Sequence, residues 1–189
     1  MRKLICILIC LTFGGGCVTT GLGPDKTPAE KRTAILAMKD EVLADLYEIK
    51  PGVKKQITEA PGYAVFSDAN INIILASFGG GTGVVYEADK RKYTYMHMGE
   101  VGAGLGLGIK DFRQVFVFHT DEALNRFLDH GWGVGAQADA AAKAEDKGIA
   151  VAGELTADSI TIYQLTQSGL ALQATIKGTK YWKNDELND

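Results

Sequence analysis

Between Thr27 and Lys50, Ile35, Met38, Val42, Leu46 and Ile49 recur at helical spacing and make one apolar stripe. The start is well marked. Thr27 can cap, Pro28 suits the first helical position, and Glu30 completes a Thr-x-x-Glu capping box. Pro51-Gly52 ends this helix, and Val53 to Ala60 predicts a short second one, stopped by Pro61-Gly62. The polar side of the long helix carries Glu30, Glu41, Asp45 and Glu48. A helix that inserts into an anionic membrane surface is basic on that side, so this one reads as packed on a sheet.

After Pro61 the period changes to that of strands. Tyr63 to Phe66 is followed by a polar turn at Ser67 to Asn70, then by the apolar run Ile71 to Phe78. Gly79 to Gly83 reads as a flexible loop leading into Val84-Val85-Tyr86. The charged segment Glu87 to Lys92 then forms the tip of a hairpin whose second strand opens at Tyr93 to His97. In Val101 to Ile109 glycine alternates with apolar residues, so one strand face is bare backbone and something lies close to it. This strand is expected to turn near Lys110-Asp111 and return as Phe112 to Phe118. Val115 and Val117 then take one face, Phe112, Phe116 and Phe118 the other, with phenyl rings filling the space the glycines leave.

Thr120 or Asp121 caps a helix through Leu128, interrupted by Gly131-Trp132-Gly133. The alanine-rich stretch from Ala136 to Lys147 is compatible with helix or strand. Ser159 to Leu165 and Leu170 to Lys177 read as two further strands, Tyr181-Trp182 as aromatic packing at the last strand, and Lys183 to Asp189 as a frayed polar tail. Turns this short exclude crossover connections. The expected class is α+β: a mostly antiparallel β-sheet with an N-terminal helix and further helices packed on it.

The first residues are a targeting segment. Arg2 and Lys3 precede a short apolar run, Leu4 to Phe13, too short for a span, which needs about 20 residues. Gly16-Cys17 resembles the end of a bacterial lipobox, with Gly14 where that motif usually has leucine. Residues 1–16 are then a signal peptide, Cys17 the lipidation site, 17–26 a tether, 27–183 a single domain and 184–189 a tail. Val18 follows the cysteine in place of the aspartate that marks inner-membrane retention, so the expected address is the periplasmic face of the outer membrane, with a soluble periplasmic protein as the alternative. All three cysteines fall in the first seventeen residues, which excludes a disulfide framework further on.

Composition excludes several classes of chemistry. A formal charge of −3 argues against a nucleic-acid partner. Gly102-Ala103-Gly104 meets Leu107, and Gly79-Gly80-Gly81 meets Val84, where a dinucleotide fingerprint needs glycine. No Gly-Lys pair exists for a phosphate loop. His97, His119 and His130 have no metal-ligand spacing, and no serine sits in a Gly-x-Ser-x-Gly setting. No catalytic residue, metal or cofactor is therefore expected. Lys90-Arg91-Lys92 is the only compact basic cluster after the signal segment and the candidate lipid-headgroup contact, although Glu87 and Asp89 beside it also suit an ordinary solvated tip.

Ala60 to Phe66, Gly79 to Val85, the glycine strand with Phe112 to Phe118, Phe127 to Ala138 and Ser168 to Ala171 with Gly178 together resemble the SYLF domain. The order and spacing of these pieces span nearly the whole chain after the tether. The resemblance implies a non-enzymatic, lipid-binding domain found in bacterial envelope lipoproteins and in eukaryotic proteins, where phosphoinositides and, for some members, actin are bound. Eukaryotic lipid binding is linked to a basic N-terminal helix; the acidic helix here departs from that, so that mode is not carried over. The expected partner is membrane phospholipid, with docking to another envelope protein as the alternative. Cys17→Ala should abolish metabolic palmitate labelling; a labelled variant would exclude the lipid anchor.

Overall fold

Thr27 accepts a hydrogen bond from the Glu30 amide, and the Glu30 carboxylate returns one from the Thr27 amide at 2.9 Å, so the expected capping box starts α1 (Pro28–Ile49). The bond from the Thr27 backbone first, then one from the Thr27 hydroxyl and the charge of Lys26, lower the Glu30 pKa. A short α2 (Val53–Glu59) follows. The computed structural model describes residues 23, 25–131, 154–157, 159–166, 169–170 and 176–189. For 68–78, 100, 102–111, 154–157, 166, 169–170 and 176–178 it describes backbone path and pairing only.

The sheet departs from the sequence reading in its strand lengths. β1 (Gly62–Glu87) and β2 (Lys92–Phe118) are continuous, joined by the expected charged tip, with Glu87 opposite Lys92 and Gly62 opposite Phe118. The expected turn at Ser67 to Asn70, the loop at Gly79 to Gly83 and the turn at Lys110-Asp111 are all strand. The glycine stretch therefore pairs with residues 71–78 of β1, and Phe112 to Phe118 continues it rather than returning beside it. Register breaks between Ile74 and Ala76, where two β2 residues, 104 and 105, oppose one on β1. Such a bulge bends and twists its strand.

A straight 26-residue strand would be about 86 Å long. Its ends nevertheless meet: the Ala88 amide donates to the Pro61 carbonyl at 2.9 Å. A Cβ placed on Gly62 would lie 2.4 Å from the Tyr86 carbonyl oxygen, and one on Gly83 only 2.2 Å from that of Val65. The hairpin is thus folded back over itself, and only glycine lets the two backbones cross so closely. Beyond it, β6 (Ile176–Lys183) pairs with Met96 to Ala103 of β2, and β4 (Ile160–Thr166) with Arg113 to Phe118. β3 (Glu154–Ala157) and the two-residue β5 (Gly169–Leu170) pair with β4, and every pairing is antiparallel. With α3 (Asp121–His130) and a short α4 (Asp185–Asn188), the described residues make an α+β fold of six strands and four helices.

Alternation along the strands divides the core between two faces. Phe66, Phe116, Phe118, Met96, Met98 and Tyr181 meet Leu124 and Phe127 of α3 inside the folded hairpin. The Phe66 and Tyr181 rings lie 4.7 Å apart, and the Tyr181 hydroxyl donates to buried Gln114 at 2.6 Å. The other face, with Val65, Val115 and Val117, packs on Val42 and Leu46 of α1 and on Val53 and Ile57 of α2. Farther toward the start of α1, Ile35 covers Val84 and Tyr95, so this one helix spans both halves of the bent hairpin. Ile49, expected in the buried stripe, is 47% exposed at the helix end, while Leu43 and Lys39 are buried.

The acidic side of α1 is put to structural use. Glu41 and Asp45 each approach the Arg113 guanidinium at 2.9 Å, fastening the helix to β2. The tail expected to fray is ordered: Asn184 caps α4, Leu187 is buried, and Asn188 accepts from the Tyr95 amide at 2.9 Å while donating to its carbonyl at 2.7 Å. Residues 136–147 lie outside the described residues, and for the glycines between 102 and 108 only backbone path and pairing are described. Gly83→Ala forces a methyl into a backbone oxygen and should cost about 2–3 kcal/mol in denaturant melts. Gly80→Ala, whose new Cβ would have Met98 oxygen as its nearest contact at 3.9 Å, should be near neutral. Equal stabilities would contradict the tight crossing.

Candidate headgroup site at the hairpin tip

Four residues, Ala88 to Arg91, turn the chain between β1 and β2, with the Arg91 amide donating to the Ala88 carbonyl at 3.3 Å. Arg91 takes a left-handed backbone (φ 49°), which is uncommon for a side chain other than Gly, Asn or Asp. Lys90, Arg91 and Lys92 are all exposed, but they are not equivalent. Lys90 is hydrogen-bonded and ion-paired to Glu87, whose carboxylate is buried, and this contact raises the Lys90 pKa. No ion-pair partner of Lys92 occurs among the described residues.

Glu87 faces Lys92, and Val85 faces Thr94, so these side chains stand on the face that α3 covers. A depression of about 210 Å³ opens there. The hairpin contributes Glu87, Lys90, Lys92 and Thr94; α3 contributes Asn125, Leu128 and Asp129; the chain end adds Lys183 and Asn188. Thr94 is buried at 5% exposure. Lys183, opposite Met96 on β6, approaches Asp129 at 3.9 Å, a loose contact between exposed groups.

The structure thus brings Lys90 and Lys92 of the predicted cluster to one pocket, with Arg91 on the turn outside its lining. It adds two residues that the sequence reading missed. Lys183 was assigned to a frayed tail, and Thr94 is one of several threonines in strands. The only available signal for either was the Tyr181-Trp182-Lys183 stretch continuing the last strand. Cys17 lies outside the described residues.

Other candidate chemistry stays dispersed. His119 bonds the Thr161 hydroxyl at 2.8 Å, His97 lies beside the Trp182 ring at 5.6 Å, and His130 is exposed at the end of α3. Among the described residues no three His, Cys, Asp or Glu side chains are grouped to hold a metal. The one buried lysine among the described residues, Lys39, pairs with Asp40 at 2.7 Å and lies over the Tyr93 ring. Burial acts to lower its pKa, but the hydrogen bonds to Asp40 and Tyr93 outweigh that and raise it, so it stays charged. Of the aromatic pair named from the sequence, Tyr181 is core, while Trp182 is 44% exposed and lies over Gly99. No described helix is long and apolar enough to cross a membrane.

Comparison with known proteins finds two similarities. Residues 99–189 match the family model Ysc84, described as Las17-binding protein actin regulator. The chain is also similar to beta cell expansion factor A of Aeromonas veronii, 34% identical over 167 residues. That alignment takes in 87% of this chain but 61% of the relative, so the chain spans less than two thirds of that protein's length. The matched segment begins within β2, on the strand that carries the glycine alternation, and runs through α3, β4 and β6 to the end of the chain. Residues 99–189 thus match the Ysc84 family model, the SYLF domain that the sequence resembles.

Proposed function

We propose that this protein is a non-enzymatic envelope lipoprotein, anchored through Cys17, whose SYLF domain binds anionic phospholipid headgroups. The observation that carries the reading is the convergence of Lys90, Lys92 and Lys183 on one depression at the hairpin tip. Lysines near an anionic surface contribute roughly 1 kcal/mol each, and salt screens that contribution. The match of residues 99–189 to the SYLF family supports a lipid partner, and the lipobox-like Gly16-Cys17 supports the envelope address at the periplasmic face of the outer membrane. The acidic face of α1 is occupied with Arg113 and gives no support to membrane insertion by that helix.

A second reading rests on a different surface. Trp182 and Val101 are large apolar residues exposed on β6 and β2, an arrangement that suits docking to another envelope protein. In-cell crosslinking that traps a stoichiometric protein partner through position 182, with no vesicle binding by the domain, would favour it.

In flotation assays the domain should rise with vesicles containing phosphatidylglycerol and less with neutral ones. The double variant Lys90→Glu, Lys92→Glu should weaken that binding at least tenfold. Absence of binding to any composition would exclude the lipid reading. Unchanged, salt-sensitive binding by the double variant would exclude the tip as the contact.

A further inference from the structure

The pocket at the tip holds a buried polar group without a use in the fold. The Thr94 hydroxyl, on a residue 5% exposed, makes no hydrogen bond among the described residues. A buried hydroxyl without a partner costs about 1–3 kcal/mol, so a site that retains one is suited to an incoming acceptor. The charges around it are unevenly satisfied. Glu87 holds Lys90, Asp129 is only in loose contact with Lys183, and Lys92 has no carboxylate within ion-pair reach among the described residues. Three lysines against two carboxylates leave one positive charge for a ligand. The volume of about 210 Å³ equals roughly seven liquid-water volumes, which admits a phosphate with its immediate substituents and excludes an acyl chain.

We propose that this pocket binds the phosphate of a phosphodiester. Thr94 donates its hydroxyl hydrogen to a non-bridging oxygen, and Lys92 and Lys183 supply the balancing charge. Glu87 holds Lys90 in place as a wall of the site, not as its main cation. A phosphodiester carries a single negative charge and so neutralises the one left over, whereas a phosphomonoester dianion overfills it. This deepens the headgroup reading and rests on it for the source of the diester. The same chemistry occurs in a soluble glycerophosphodiester, and the two sources are separable by experiment.

The test uses the folded chain with two probes: glycerophosphoglycerol followed by amide NMR, and phosphatidylglycerol vesicles followed by flotation. Glycerophosphoglycerol should shift amides around 92–94, 125–129 and 183–188. Thr94→Val keeps a good strand former in place and should bind both probes about tenfold more weakly; Thr94→Ser should restore binding to within about twofold. Lys183→Met should weaken both similarly and flatten the salt dependence, with thermal melts confirming that each variant folds. If Thr94→Val and Lys183→Met bind vesicles as the parent does, the pocket is excluded while the lipid reading survives. Soluble diester bound in a Thr94-dependent way, without flotation, keeps the pocket and removes the lipid. Failure of the parent to bind either probe overturns both.

Discussion

The rest of the structure depends on one backbone crossing. Where Gly62 passes Tyr86 and Gly83 passes Val65, the two ends of a single strand touch without room for a methyl group. A long two-stranded ribbon has no core of its own and is marginal in water. Folding it back gives it an inside, where Phe66, Phe116, Phe118, Phe127 and Tyr181 pack edge to face, tilted or, for Phe116 on Phe118, stacked, at centroid distances of 4.7 to 6.5 Å. The same fold-back aligns the outer faces of both halves so that one 22-residue helix covers them together.

Polar residues then hold what the apolar ones cannot orient. Hydrophobic burial is non-directional, so it does not decide how α1 is rotated on the sheet. Arg113 does, by engaging Glu41 and Asp45 one helical turn apart. Lys39, between Asp40 and Tyr93, and Tyr163, whose hydroxyl donates to Gln56 of α2 at 2.6 Å, act in the same way. Asn188 closes the last strand by bonding both backbone groups of Tyr95. That contact fixes the chain end beside the hairpin tip, and it is why a lysine from position 183 stands near lysines from positions 90 and 92.

Local signals were legible wherever the local chain decides the outcome. The Thr27 box, the Thr120 cap of α3 and the charged tip at 87–92 all lie where the residues indicate, because each is satisfied within a few residues of itself. The alternation of Val115 and Val117 against Phe116 and Phe118 likewise foretold two buried faces. The turns expected at 67–70, 79–83 and 110–111 were misread because glycine and polar residues mark both turns and the interior of a bent strand. Only the register of the partner strand distinguishes the two, and register is a non-local quantity.

The sequence by itself determined the class of fold, the starts of the first three helices, the basic tip and the family resemblance, since these follow from period, capping chemistry and residue order. Only the tertiary structure decided that the glycine strand and the phenylalanine strand are one, that Arg113 rather than solvent meets the acidic helix face, and that Thr94 and Lys183 join the tip. The physical reason is sequence distance. Gly62 and Tyr86, like Val65 and Gly83, are neighbours through a crossing of backbones, and Lys92 and Lys183 through the pairing of β2 with β6. Neither kind of adjacency leaves a mark in the residues that lie between.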